Sequence, residues 1–230
     1  MNKISSILCG CITVLVSVNS WAAIVSVSGD MTQISSPASV APGMLESSST
    51  IWAFDEKQQY TLTTDLFVDE LAGTSAAGTV SAGSTVNSYF LHADPLGGST
   101  EPADVISMSG TISFDSRILG IIWSGTACDN CPSSSMFLDA SDYLGASGTI
   151  YPTGGLGRGY EIDAFYAGNG TQDFVTISED GYSLTMVSSA ALPLRSDQLR
   201  VITAVPIPLS VYLFTSGLFV LFNFARKSRS

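Results

Sequence analysis

Between residues 23 and 204 the chain sustains no apolar repeat at helical spacing. Its hydrophobic residues come in short runs, each cut off by Gly, Ser, Thr, Asp or Pro. This feature constrains the fold most, because short β-rich runs between turn formers suit strands and cannot build long helices. Residues 105–114 (VISMSGTISF) place Ile106, Met108, Gly110, Ile112 and Phe114 on one face at a period of two. Residues 118–123 (ILGIIW) are continuously apolar, which suits a strand buried on both faces. Asp180-Gly181 stands between DFVTISE and YSLTMVS and predicts a two-residue hairpin with both central residues at positive φ. Further strands are expected at 23–27, 51–54, 60–68, 86–92 and 198–203. Residues 31–49 read as a loop or covering segment and 71–83 as a loop. About ten short strands predict an all-β fold, a single β-sandwich of jelly-roll-like type.

The two ends differ from this middle. Lys3 precedes an apolar run over residues 7–18, and Ser20-Trp21-Ala22 offers small residues where signal peptidase cuts, so 1–22 reads as a signal peptide. At the other end, residues 209–225 carry no charge, and Arg226, Lys227 and Arg229 follow. An uncharged apolar run with a basic stop reads as a transmembrane helix whose basic end stays on the cytoplasmic side. A cleaved signal places the intervening 23–204 outside, so both ends predict one topology.

Val205-Pro206-Ile207-Pro208, then Tyr212-Leu213-Phe214, Ser216-Gly217-Leu218 and the closing Arg226-Lys227, occur in the order and spacing of a known sorting signal. This tail, residues 205–230, resembles the PEP-CTERM tail in its Val-Pro-x-Pro variant, with Tyr212 where the usual aromatic is Trp. The resemblance implies export through the secretion translocase, transient membrane insertion, and cleavage by an exosortase near Val205, Pro206, Ile207 and Pro208. It also implies release to the cell surface or the extracellular polysaccharide matrix of a bacterium. Blocks within the middle segment also resemble exported proteins of this kind, which implies a β-rich extracellular domain and no defined activity.

Charge narrows the partners. All twenty acidic residues lie in 23–204, against five of the nine basic ones, a net charge of −15 for that segment. Such a surface repels nucleic acid and is compatible with divalent cations and with neutral or cation-bridged polysaccharide. Cys9 and Cys11 leave with the signal peptide, and Cys128 and Cys131 remain in ACDNCPSS. An oxidising compartment favours a disulfide between them. A redox pair would want a helix start, and zinc would want four ligands, where the chain adds the single histidine His92.

Residues 138–159 are the most distinctive stretch. Asp139 and Asp142, with Glu161 and Asp163 beyond, are candidate oxygen ligands for calcium, beside the alternative that they initiate turns. Tyr143, Tyr151 and Tyr160 lie in loop-like sequence and are candidates for stacking on a sugar ring. Trp123 reads as core and His92 as a loop-edge residue. No nucleophile elbow accompanies His92, and scattered acids do not define a glycosidase pair. The expectation is a non-enzymatic structural or adhesive protein without a resident cofactor. A lectin-like carbohydrate-binding module, calcium-assisted or not, is the alternative.

Overall fold

The computed structural model describes residues 23–96, 106–123, 137–152, 158–160, 172–190 and 196–206. These residues are all-β apart from one short helical segment. In chain order the elements are β1 (Ile24–Gly29), β2 (Met31–Gln33), β3 (Ile51–Asp55), β4 (Tyr60–Thr61), β5 (Leu66–Val68), β6 (Glu70–Leu71) and β7 (Gly78–Val80). The long strands β8 (Thr85–Ala93) and β9 (Ile106–Phe114) follow, then β10 (Ile118–Ile122). A helical turn α1 (Phe137–Ala140) runs into a 3₁₀ turn (Asp142–Leu144). β11 (Arg158–Gly159), β12 (Phe174–Ile177), β13 (Ser183–Ala190) and β14 (Ser196–Ala204) complete the set.

Two sheets carry most of these strands. The smaller has the order β1-β9-β13-β12, antiparallel throughout. The larger has the order β2-β3-β8-β14-β10-β6, with β4 added on β8 and β11 on β14. β5 and β7 form a separate ribbon. Strand alternation explains the burial. Tyr89 and Leu91 of β8, with Leu199 and Val201 of β14, share one core cluster with Ile112, Phe114, Leu184 and Met186 of the smaller sheet. Phe90 and Ile202, on the opposite face of the same strands, join a second cluster with Phe54, Leu66, Val68, Leu138 and Leu144. β8 and β14 are therefore buried on both faces.

Several expectations are met and others corrected. The expected inward face of β9 is buried at Met108, Gly110, Ile112 and Phe114, and β10 is buried along most of its length. The expected strand 60–68 breaks in two, because Leu62 N–H turns to Ser84 O and the Asp65 carboxylate accepts the Ala82 N–H. The expected loops contain strands: β2 pairs in parallel with β3, and β7 pairs with β5. The β12–β13 hairpin forms, but with a wider turn than two residues. Ser178 N–H bonds Ser183 O, and of Asp180 and Gly181 only Gly181 has positive φ (78°). Asp180 instead uses its carboxylate, accepting from the Ser178 hydroxyl and the Tyr182 N–H. These two bonds hold its carboxyl below the usual range.

Candidate functional site

The site is built from Arg200 upward. Residue parity on β14 points Ser196, Gln198, Arg200 and Ile202 away from the smaller sheet, toward the segments that cover the larger one. Arg200 is wholly buried. Its Nε–H and one Nη2–H donate to Glu56 Oε2 and Oε1, both at 2.7 Å, a bidentate pair. The other Nη2–H donates to Asp142 Oδ1 at 3.1 Å. Nη1 donates to Leu138 O at 3.1 Å and to Ser141 Oγ. All five guanidinium donors are used. Burial by itself would lower the Arg200 pKa, but the Glu56 carboxylate and then Asp142 hold it above the usual guanidinium range. Ser88 donates to Glu56 Oε2. The guanidinium lies over the rings of Phe90 and Tyr151, at 5.3 and 5.5 Å.

Three of those five bonds end on the segment 138–142. A helical turn of four residues has little stability of its own, and Arg200 supplies the mount. What the mount presents is aromatic. Phe137 stacks on Phe67 at 5.7 Å with an interplanar angle of 16°. Tyr143 packs on Tyr60, and the Lys57 ammonium donates to Tyr143 O while lying 5.1 Å from the Tyr60 ring. Between them runs a groove of about 210 Å³ lined by Asp65, Phe67, Phe137, Ser141 and Tyr143 among others. Phe67 is 56% and Tyr143 37% exposed. Asp65 is the one carboxylate among the lining residues.

The predicted site residues separate. Tyr143 lies on the groove. Tyr151 is half-buried, its ring edge-on to Phe90 and its hydroxyl accepting the Ala146 N–H. Tyr160 is buried, and its hydroxyl donates to backbone carbonyls at Phe174 and Val187 and accepts the Val187 N–H. Burial closes the Tyr160 ring to a sugar, contrary to the expectation from its loop-like sequence. Burial raises the pKa of both hydroxyls, assisted at Tyr151 by the Glu56 charge and at Tyr160 by Asp173. Asp142 is engaged by Arg200, and Asp139 sits half-buried on α1. Among the described residues no group of three or more His, Cys, Asp or Glu is placed to hold a metal ion. Glu161, Asp163, Cys128, Cys131, Ile207, Pro208, Arg226 and Lys227 lie outside the described residues, while Val205 and Pro206 follow β14 directly. No helix among the described residues is long and apolar enough to cross a membrane. Trp123 is half-buried and packs against the core, and Trp52 Nε1–H ties the covering segment down at Leu45 O.

His92 is not at a loop edge. It is fully buried in β8, on the same face as Arg200. Its Nδ1 lies 3.4 Å from Gln198 Nε2, and its Nε2 is 4.0 Å from Asp94 Oδ2 with no hydrogen-bond partner. Burial lowers its pKa to about 4. Asp94 is pushed up to about 6, first by burial and also by Glu46, against the Gly43 N–H that donates to it. Gln198 in turn donates to Val40 O, so this pair sits beneath the segment that covers the sheet.

Phe67, Phe137, Asp65 and the Arg200–Glu56 pair escaped the sequence reading. One signal was available. An arginine inside the apolar strand QLRVIT must find a partner, and the segment 23–204 has only five basic residues.

Comparison with protein-family models finds no match for this chain. No curated protein and no solved structure matches it either.

Proposed function

We propose that this is a non-enzymatic exported protein, a β-sandwich of jelly-roll-like type. It is sorted by its tail through an exosortase to the cell surface or exopolysaccharide matrix, where it acts as an adhesive component that binds a saccharide. The sandwich reading rests on the core cluster shared by the two sheets. The binding reading is carried by one observation, the aromatic groove seated on the Arg200 mount. The exposed rings of Phe67 and Tyr143 offer apolar aromatic surface to the C–H faces of a sugar, and the preorganised mount lowers the ordering cost of binding. A glycoside hydrolase needs two carboxylates across one bond, and among the described residues lining this groove Asp65 is the one carboxylate.

Calorimetric titration of the full-length protein with oligosaccharides cut from the producer's own exopolysaccharide tests this. Tyr143→Ala and Phe67→Ala should each weaken binding about ten-fold or more. Unchanged affinity in both would remove the groove from the proposal. Repeating the titration with chelator separates the calcium-assisted form from the unassisted one. The sorting claim is tested by the intact mass of the exported form. A stable end product still carrying residues 209–230 would contradict it.

A further inference from the structure

The four strands of the smaller sheet contain no charged residue, in a chain whose net charge is −11. Their inward positions form the core, as described. Their outward positions are mostly hydroxyls: two of three exposed side chains on β1, four of four on β9, one of two on β12 and three of four on β13. The hydroxyls are in register. Ser28, Thr111, Thr185 and Thr176 stand opposite one another in a single row across all four strands. A second row, Ser26, Ser113 and Ser183, runs beside it. Thr111 and Thr185 hydrogen-bond each other at 2.8 Å, and so do Ser113 and Ser183. Three apolar side chains also reach solvent from these strands: Val25, 63% exposed at the register shift between Ile24 and Ser26, and the paired Phe174 and Val187, of which Phe174 is 52% exposed.

This is an unusual wet face. The solvated side of an antiparallel sheet is an available place for charge, and this chain has twenty acids to place. The carboxylates of Asp30 and Asp173 accept the backbone N–H groups of Ser109 and Ser189. Each bonded hydroxyl pair keeps about one donor and three acceptor sites for an outside partner. Rows repeat at about 6.8 Å along the strands and hydroxyls at about 4.8 Å across them. A charged partner finds nothing to pair with here, and an anionic polymer meets the repulsion of the rest of the molecule. A stable protein interface would want a contiguous apolar centre, and Val25 on one edge strand is separated from Phe174 and Val187 toward the other by the hydroxyl rows. What remains is a neutral partner rich in hydroxyls with apolar C–H faces.

We infer that the outward face of the β1-β9-β13-β12 sheet is a docking surface for neutral polysaccharide chains, separate from the aromatic groove. The groove lies among the segments that cover the larger sheet, and the hydroxyl face belongs to the smaller one. Only if the groove also binds saccharide, as proposed above, do the two surfaces bridge chains in the matrix. The inference takes the matrix location from the proposal above and does not depend on the groove.

The test is a depletion isotherm of the full-length protein on an insoluble neutral β-glucan, with a soluble polyuronate as the anionic control, in chelator. Wild type should bind the glucan and not the polyuronate. Thr185→Glu and, separately, the more exposed Ser28→Glu should weaken glucan binding at least ten-fold while oligosaccharide titration into the groove and the thermal midpoint stay unchanged. The two variants guard against one of them failing to fold. Tyr143→Ala should leave glucan binding within about two-fold, which separates failure of the groove from failure of the face. Wild-type indifference to the glucan, or full binding by both charged variants, would overturn the inference. A dimer in sedimentation that both variants dissociate, with no effect on the glucan, would instead assign the face to self-association and overturn it equally.

Discussion

Arg200 is the residue on which most depends. Its charge is buried, and its partners come from residues as far apart in sequence as Glu56 and Asp142. Removing one member of a buried pair leaves the other uncompensated, so Arg200→Met should cost about 3–5 kcal/mol. Urea unfolding measures this. The same variant releases Leu138 O and Ser141, and should weaken the groove's ligand although Arg200 does not line it. A loss of stability with unaltered affinity would mean the helical turn keeps its place without the mount.

His92 and Asp94 give a second residue-scale prediction, with the sign set by their opposite shifts. Asp94 has a folded pKa of about 6, raised above its ordinary value. The folded state therefore binds its proton more readily, and this contribution to stability is lost as pH rises through 6. His92 has a folded pKa of about 4, below its ordinary value, so its contribution is lost as pH falls from 6.5 toward 4. In the wild type the two slopes largely cancel between pH 4 and 6. Asp94→Asn should expose the His92 slope, with a thermal midpoint that falls on acidification from pH 6.5 to 4.5. His92→Leu should expose the opposite slope. Parallel midpoint curves for the two variants would contradict the assignment.

At the scale of elements, close backbone approach decides where the strands of the larger sheet can sit. Gly120 of β10 has no room for a side chain. A Cβ there would meet Glu70 O and Val68 Cγ2, each at 2.9 Å. Gly120→Ala should therefore push β6 off β10 and cost about 1–3 kcal/mol as overpacking. Hydrogen exchange at Asp69 and Ala72, whose N–H groups bond Ile121 O and Leu119 O, should rise in the variant. The same element scale explains the corrected loops. Glycine and alanine in 71–83 suggest a loop, yet Gly78 passes close against the Leu71 side chain, which would have to shift for any larger residue, and β7 pairs there with β5.

For the whole molecule, charge is the governing quantity. With twenty acids against five basic residues in 23–204, the folded state carries self-repulsion that salt screens. Raising sodium chloride from 10 to 300 mM should raise the thermal midpoint by about 2–4 °C, equivalent to roughly 1 kcal/mol for a chain of this size. A midpoint that falls with salt would mean that attractive pairs exposed to solvent dominate the balance instead, since the buried Arg200–Glu56 pair is little screened. The uncharged smaller sheet shows that the acids are not spread evenly over this surface.

Legible without the fold were the all-β class of the described residues, the apolar positions of β9 and β10, and a hairpin closing near Gly181. These follow from local periodicity and turn chemistry, which neighbours in the chain set. Which strands pair beyond that hairpin is a tertiary matter, because register and sheet order depend on contacts between distant residues such as Thr111 and Thr185 or Ser28 and Thr111. It also decided the fate of polar residues inside strands. Arg200, Gln198 and His92 look alike in sequence to solvated positions, and become a mount, a tether and a buried base only because covering segments from elsewhere in the chain close over them.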